Sequence, residues 1–442
     1  MARLLLSGGR VMDPAVGRDE TADLLIADGR IAAVGPPGGL GRADQTLDCR
    51  HCLVVPGLID LHVHLREPPL ARRAPHPARH KAEAALAETI ETGAAAAVAG
   101  GFTTVCAMPN TDPPIDTPDA VGHCAARGRD VGLARVLVVG AMTQGRRGEA
   151  VADLAAMRAA GAVAFSDDGS DVGDNEVFEA VLREAARIAA PVICHCEDPR
   201  LAAEGVMNDG PVAMLLGLPG IPAEAEEAAV ARACDAAART GCRVHVAHVS
   251  TAGAVEIIRR AKAAGAPVTA EATPHHLALT ESVLASRRTV YKVNPPLRSA
   301  HDVQALIEGV RDGTIGCLAT DHAPHTAEAK ARRLAEAPFG MIGLESALGV
   351  YGRALLGSQA FGWPDLVARM TAGPARALGL ASGTLAVGAE ADVTVINPTV
   401  RWTIDPATFA SRARNCPFAG WEVQGRAVLT IVGGRVVYER WT

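Results

Sequence analysis

Eight short apolar, β-branched runs alternate with alanine-rich stretches through the middle of this chain, and no other feature restricts its fold so closely. The runs are Leu58–His64, Thr103–Met108, Val136–Ala141, Ala162–Ser166, Val192–His195, Val244–His248, Val268–Ala272 and Ile315–Thr320. Helices are predicted between several of them, at Glu176–Ile188, Ala223–Thr240 and Thr251–Ala264. Such alternation builds a parallel sheet with helical crossovers. Eight units are what an α/β chain needs to close a (β/α)8 TIM-type barrel. An open, doubly wound sheet is the rival, but no glycine-rich phosphate fingerprint follows the first run.

The polar residues discriminate between the two. Almost every run ends, at its carboxyl side, in a residue with chemistry to offer: His62 and His64, Asn110, Asp168, His195, His248, His275 and His276, and Asp321. A barrel gathers those ends at one mouth, where active sites of this fold lie. An open sheet would spread them along an edge, so the barrel is the expectation.

The chain ends resemble each other. Leu4-Leu5-Leu6-Ser7-Gly8-Gly9-Arg10-Val11 parallels Leu429-Thr430-Ile431-Val432-Gly433-Gly434-Arg435-Val436, each an apolar run, a Gly-Gly step and a second apolar run. Both read as hairpins. A further hairpin is predicted over Ala22–Val34, turning at Asp28-Gly29, and another strand at Asp392–Ile396. Residues 1–55 and 384–442 are therefore expected to form one composite small β domain around a barrel of residues 56–383.

Composition excludes several classes. A net charge of −6 argues against a nucleic-acid partner. No apolar run approaches the ~20 residues that span a bilayer, and the first residues read as a strand rather than a secretory signal. A soluble, cytoplasmic protein is expected. Ten cysteines in 442 residues are no disulfide framework. Cys194 and Cys196 flank His195, and on a strand both thiols point away from its face.

His62 and His64 stand two apart on a predicted strand, so both imidazoles project from one face. Alone, His-X-His says little. With His195, His248, Asp168 and Asp321 at the same end of other strands, four imidazoles and two carboxylates exceed what one tetrahedral zinc requires. They suit two ions ~3.5–4 Å apart with a bridging carboxylate, and imidazole with carboxylate favours zinc. His51, His76, His80, His123 and His301 fall in predicted loops or helices. His245 is expected to face a helix, and either of His275 and His276 is expected to be structural or to line the mouth.

With these residues in place the sequence resembles the amidohydrolase superfamily and, within it, the type I dihydroorotases. The segments that carry the resemblance are Asp60-Leu61-His62-Val63-His64-Leu65-Arg66-Glu67-Pro68, Gly100-Gly101-Phe102-Thr103-Thr104-Val105-Cys106-Ala107-Met108-Pro109-Asn110-Thr111 and Asp321-His322-Ala323-Pro324-His325-Thr326. Asn294-Pro295-Pro296-Leu297-Arg298 and Ala337-Pro338-Phe339-Gly340 match as well. The resemblance implies reversible cyclisation of N-carbamoyl-L-aspartate to (S)-dihydroorotate, a step of pyrimidine biosynthesis. It implies two zinc ions, one on His62 and His64 and the other on His195 and His248. Asp168 would bridge them, and Asp321 would bind the first while serving as catalytic acid/base. Arg66, Asn110 and His325 would meet the substrate's non-reacting carboxylate, and Asn294, Phe339 and Gly340 its ring. Arginine also suits that task physically, because its planar fork captures a carboxylate bidentately. A homodimer is expected, and some relatives associate with aspartate transcarbamoylase.

Hydantoinases and allantoinases often bridge their metals with a carboxylated lysine on the fourth strand. Here the only lysines are Lys81, Lys262, Lys292 and Lys330, and Ala162–Gly169 offers Ser166-Asp167-Asp168 instead. Asp168 rather than Asp167 follows from family spacing; residue chemistry leaves those neighbours nearly tied. Those enzymes, and a metal-free scaffold for the transcarbamoylase, are the rival readings. The chain departs from the family in a longer Pro69–His80 segment, expected as an exposed loop.

Overall fold

The structure, a computed structural model, describes residues 3–67, 87–357 and 361–441. The Pro69–His80 segment, with His76 and His80, lies outside them. Eight parallel strands follow one another in sequence order: β1 (Leu58–Val63), β2 (Phe102–Ala107), β3 (Arg135–Gly140), β4 (Ala162–Phe165), β5 (Val192–Cys194), β6 (Val244–Val246), β7 (Val268–Ala272) and β8 (Cys317–Leu318). Helices such as Asn175–Arg187, Ala223–Thr240 and Ala252–Ala263 intervene, each opened by a cap or proline and carrying one buried apolar stripe. This is the expected (β/α)8 barrel, although the eighth strand is far shorter than Ile315–Thr320.

The seam between β8 and β1 is closed beyond the regular ladder. His64 N donates to the carbonyl of His322 at 2.9 Å, and Val63 bridges to His322 in parallel. Asp60, fully buried, accepts from the amides of His62 and Thr320 at 3.0 and 3.1 Å. One carboxylate thus holds the first strand to the last. Sequence reading gave Asp60 no role, because its partner is 260 residues away.

Side chains alternate between two cores. Ile59, Leu61, Cys106, Val139, Ala164, Ile193 and Cys317 share one cluster inside the barrel. Leu58, Val63, Val105, Val138, Phe165, Val192, Val244 and Val246 pack outward against the helices. Cys194 and Cys196 join the outer cluster, away from His195 as expected, and all ten cysteines are buried free thiols.

A second eight-stranded sheet comes from both termini. Arg18–Ala27 and Arg30–Gly35 form the expected hairpin, with Asp28 and Gly29 at φ +51° and +74° as a tight turn of this hand requires. Glu422–Val432 and Arg435–Glu439 form another through Gly433-Gly434. The amino-terminal Gly-Gly step does not turn. Leu4–Asp13 is one strand whose register shifts between Leu6 and Gly9, so Gly8-Gly9 is a bulge. The amide of Gly8 is drawn to Asp23 on the neighbouring strand at 2.8 Å. A Cβ on Gly9 would lie 2.6 Å from Val54. Identical glycine pairs therefore end differently because one is sandwiched between strands and the other sits at an edge.

Tyr351, fully buried on helix Ala347–Leu355, donates its hydroxyl to the carbonyls of Ala319 (2.7 Å) and Ala272 (3.2 Å), tying the ends of β7 and β8 together. Tyr351→Phe is expected to lower unfolding free energy by about 1–3 kcal/mol by leaving a buried carbonyl without its donor. Urea denaturation measures this, and an unchanged midpoint would remove the staple from the account.

Candidate metal and substrate site

At the carboxyl ends of the strands the chain leaves extended geometry, and that departure aims the functional side chains. His248 lies two residues past β6 at φ +31°, Asp321 three past β8 at +46° and Arg66 three past β1 at +57°. Such conformations cost non-glycine residues roughly 1–3 kcal/mol each and persist where surrounding structure enforces them. His62 and His64 sit at the end of β1, whose register against β2 shifts between Asp60 and Val63; their rings lie 5.2 Å apart.

Asp168 stands among all four imidazoles. Its Oδ1 is 3.2 Å from His62 Nε2, 3.5 Å from His248 Nε2 and 3.8 Å from His195 Nδ1, and its Oδ2 is 3.5 Å from His64 Nε2. Asp321 Oδ1 approaches His64 Nε2 at 3.0 Å and His62 Nε2 at 3.6 Å. Asp167 is turned away, accepting from the amides of Met142 and Thr143 and from the Thr143 hydroxyl. The side chains thus separate two neighbours that the sequence leaves nearly tied.

The arrangement fits a cation. His62, His64 and Asp321, and likewise His62, Asp168 and His248, each offer ligand atoms within 4.8 Å of one another. His62 Nε2 and Asp168 Oδ1 are buried, face each other and have no hydrogen-bond partner among the described residues. Buried polar atoms are rarely left so. Burial alone would push the Asp168 and Asp321 carboxyls up, but the surrounding histidines outweigh it and hold both below the usual carboxylate range. Burial similarly opposes charge on His62, yet Asp168 and Asp321 raise it well above its ordinary value. The two carboxylates favour positive charge at this spot.

A further layer fixes the imidazoles. His62 Nδ1 donates to Glu271 Oε1 at 2.9 Å and His64 Nδ1 to Asn110 Oδ1 at 2.8 Å, which turns each Nε2 toward Asp168 and Asp321. Glu271 also accepts from His245 Nε2 at 3.0 Å. This corrects the expectation for His245: it faces the barrel interior, not a helix. The strand ends at Val246, so counting alternation back from His248 crosses a break. Glu197 is a second residue that strand-end reasoning missed. It accepts from Asn294 Nδ2 at 3.1 Å and lies 3.9 Å from His195 Nε2.

A cavity of about 190 Å³ opens above the cluster. It is lined by every predicted substrate residue, Arg66, Asn110, Asn294, His325, Phe339 and Gly340, beside His64, Asp168, His195, His248 and Asp321. Arg66 donates Nε to the carbonyl of Pro324 at 3.2 Å. Burial pushes its pKa down to about 10, with Asp321 and Asp168 opposing, so it stays cationic near neutrality. Glu67 pairs with Arg127, not with Arg66. His325 donates Nε2 to the carbonyl of Phe339 at 2.6 Å, and burial keeps it neutral. Gly340, at φ +129°, lets the wall close: a Cβ there would lie 2.8 Å from Ala323 and 2.9 Å from His325. His275 and His276 are buried but do not line the cavity. His276 bridges Thr273 and the Pro295 carbonyl; His275 Nε2 has no partner among the described residues, and burial pushes its pKa down to about 4.

Asn415, also unforeseen, reaches this wall from the carboxyl-terminal region. Its amide donates to the carbonyls of Ala323 and Gly340 at 3.1 and 3.2 Å and its oxygen accepts from His325 N at 3.2 Å.

The chain is similar to known proteins. A family model described as dihydro-orotase-like matches residues 51–254. A protein of Pelotomaculum thermopropionicum named dihydroorotase is 48% identical over 437 residues, covering 99% of each chain. One of the same name from Syntrophotalea carbinolica is 48% identical over 436 residues, again covering 99% of each. Among solved structures, an L-hydantoinase (dihydropyrimidinase) from Arthrobacter aurescens superposes with a TM-score of 0.84 at 27% identity, covering 100% of this chain and 97% of that one. A continuous barrel-and-sheet likeness to a cyclic amide hydrolase, joined to near-half identity over the full length, fixes the relationship: the chain belongs to the dihydroorotase family of amidohydrolases.

Proposed function

We propose that this chain catalyses the reversible cyclisation of N-carbamoyl-L-aspartate to (S)-dihydroorotate, supplying a precursor for pyrimidine biosynthesis. The observation that carries the reading is that one small cavity sets a cationic Arg66 against the His/Asp cluster. A ring that bears a carboxylate at one end and a scissile amide at the other matches both walls. No helix among the described residues is long and apolar enough to cross a membrane, in keeping with a small-molecule enzyme of the cytoplasm.

The donor set supports two divalent ions, zinc by its imidazole–carboxylate chemistry, which His62, His64, Asp168, His195, His248 and Asp321 would hold. Bound there, they would supply Lewis acidity that polarises the amide carbonyl and acidifies water. The protein's own groups do the rest. Arg66 takes the non-reacting carboxylate through its fork, with Asn110 beside it. Phe339, Gly340 and Asn294 confine the ring. Asp321 is held ionised by its histidines, so it is ready to accept a proton. In hydrolysis it takes that proton from attacking water and delivers it to the leaving ring nitrogen; in synthesis the ureido nitrogen's proton returns to it. The reading extends to a homodimer and to association with aspartate transcarbamoylase, which light scattering of the protein alone and mixed with the transferase tests.

Hydantoin hydrolysis is the second reading, favoured by the structural likeness to hydantoinases. Arg66 and the aspartate in place of a fourth-strand lysine speak against it. Purified protein is expected to turn over dihydroorotate and not hydantoin or allantoin; hydantoin turnover alone would overturn the assignment. Asp321→Asn is expected to lower kcat by about 10²–10⁴-fold, the usual worth of a positioned acid/base. Metal retained in part, by inductively coupled plasma measurement, would separate this from simple loss of the ions, and unchanged turnover would remove Asp321 from the mechanism. Arg66→Ala is expected to raise KM about 10- to 100-fold with a smaller change in kcat, as loss of a charge-assisted contact does. Intact affinity for carbamoyl aspartate would contradict its role.

A further inference from the structure

Two of the chain's four lysines are buried together behind the ring-facing wall of the cavity, where no strand-end logic placed them. Lys330 is 8% exposed and Lys292 2%. Among the described residues neither ammonium has a carboxylate within ion-pair distance. Burial, with Lys292 adding repulsion, pushes Lys330 down to about 7, and burial pushes Lys292 to about 8. Unpaired cations in such a place oppose folding, because each gives up water without a counter-charge. Their presence calls for a compensating use.

The hydrogen bonds show where that use lies. Lys330 Nζ donates to three carbonyls, of Thr289 (3.0 Å), Lys292 (3.3 Å) and Pro338 (2.9 Å). An ammonium has three N–H donors and no acceptor, so this cage matches it fully. Thr289 and Lys292 lead directly into Asn294, and Pro338 directly precedes Phe339 and Gly340. Lys292 Nζ donates to the carbonyl of Ala335 at 3.1 Å and lies 4.5 Å over the Phe339 ring. The Lys292 carbonyl in turn accepts from Gly340 N at 2.9 Å. Every link joins the segment that carries Asn294 to the segment that carries Phe339 and Gly340.

We propose that Lys330 and Lys292 are positioning residues for substrate: their Nζ donors lock these two cavity-lining segments together and set the width of the ring-binding side. Neither lysine lines the cavity or touches the metal cluster, so they act through Phe339, Gly340 and Asn294. The proposal rests on the dihydroorotate reading, in which those three residues confine the ring.

The test is steady-state kinetics with dihydroorotate on metal-loaded wild-type, Lys330→Met and Lys292→Met proteins, with metal content measured on each. Methionine keeps much of the lysine volume and removes the donors. Lys330→Met is expected to raise KM about 10-fold or more while kcat stays within about threefold and metal content is unchanged. Lys292→Met, losing one carbonyl bond and a ring contact, is expected to raise KM about threefold with kcat and metal again preserved. A general structural weakening would instead lower kcat and metal content together, and that outcome overturns the proposal. So does an unchanged KM in a folded Lys330→Met protein. Should Lys330→Met not fold, Lys292→Met decides: a selective rise in KM supports the clamp and an unchanged KM refutes it. Wild-type protein that turns over hydantoin but not dihydroorotate would refute the substrate reading alone, and the same KM split with hydantoin would then judge the lysines.

Discussion

One carboxylate, Asp168, lies within 3.8 Å of nitrogens from four histidines that arrive on three other strands. Such crowding of titratable groups in a buried place is tolerable only if charges and lone pairs are matched. The surrounding structure can be understood as meeting that condition. Glu271 takes one nitrogen of His62, Asn110 one of His64, and Glu197 with Asn294 flanks His195. Each removes an alternative orientation of an imidazole, so the opposite nitrogens converge on the carboxylates, those of His195 and His248 also meeting each other at 2.9 Å. The barrel contributes the convergence; the outer polar layer contributes the aim.

Aim also demands departures from regular strand geometry. A strand alternates its side chains strictly, and eight of them closed into a barrel would send only every second residue inward. His248, Asp321 and Arg66 reach the mouth because the chain adopts positive φ just beyond β6, β8 and β1. The seam at β8 and β1 matters most here, since His62, His64, Arg66 and Asp321 all emanate from it. There Asp60 substitutes side-chain acceptors for missing ladder bonds, and the backbone bond from His64 to His322 completes the closure. A loosened seam would displace both ends of the cluster at once.

These facts explain which parts were readable from the residues. The eight strands were legible because β-branched runs and alanine-rich helices differ in period, and the strand-end series was legible because topology alone brings those ends together. Asp168 against Asp167 was not, since one-residue choices depend on how the chain turns after β4. His245 failed for the same reason at β6. Gly8-Gly9 looked like Gly433-Gly434 because a turn and a bulge use the same left-handed conformation; only the flanking strands and Asp23 distinguish them. Asp60, Glu271, Glu197 and Asn415 carried no local signal, because their partners are distant in sequence.

The cavity therefore has two sides built on different principles. The side formed by the His/Asp cluster is assembled from barrel strands, whose ladders hold it as part of the core. The opposite side is made from the segments around Asn294, His325 and Phe339, which lack such ladders and must be fastened piece by piece. Lys330 and Lys292 bind two of these segments to each other, while Asn415 binds the third to Gly340 from the carboxyl-terminal region. Fastening by ammonium and amide donors to main-chain carbonyls fixes backbone position without filling the cavity with side chains. Under the proposed function it would also link substrate fit to residues remote from the reacting atoms. Changes in ring selectivity among barrels of this kind would then be expected in such fasteners as well as in the residues that touch the ring.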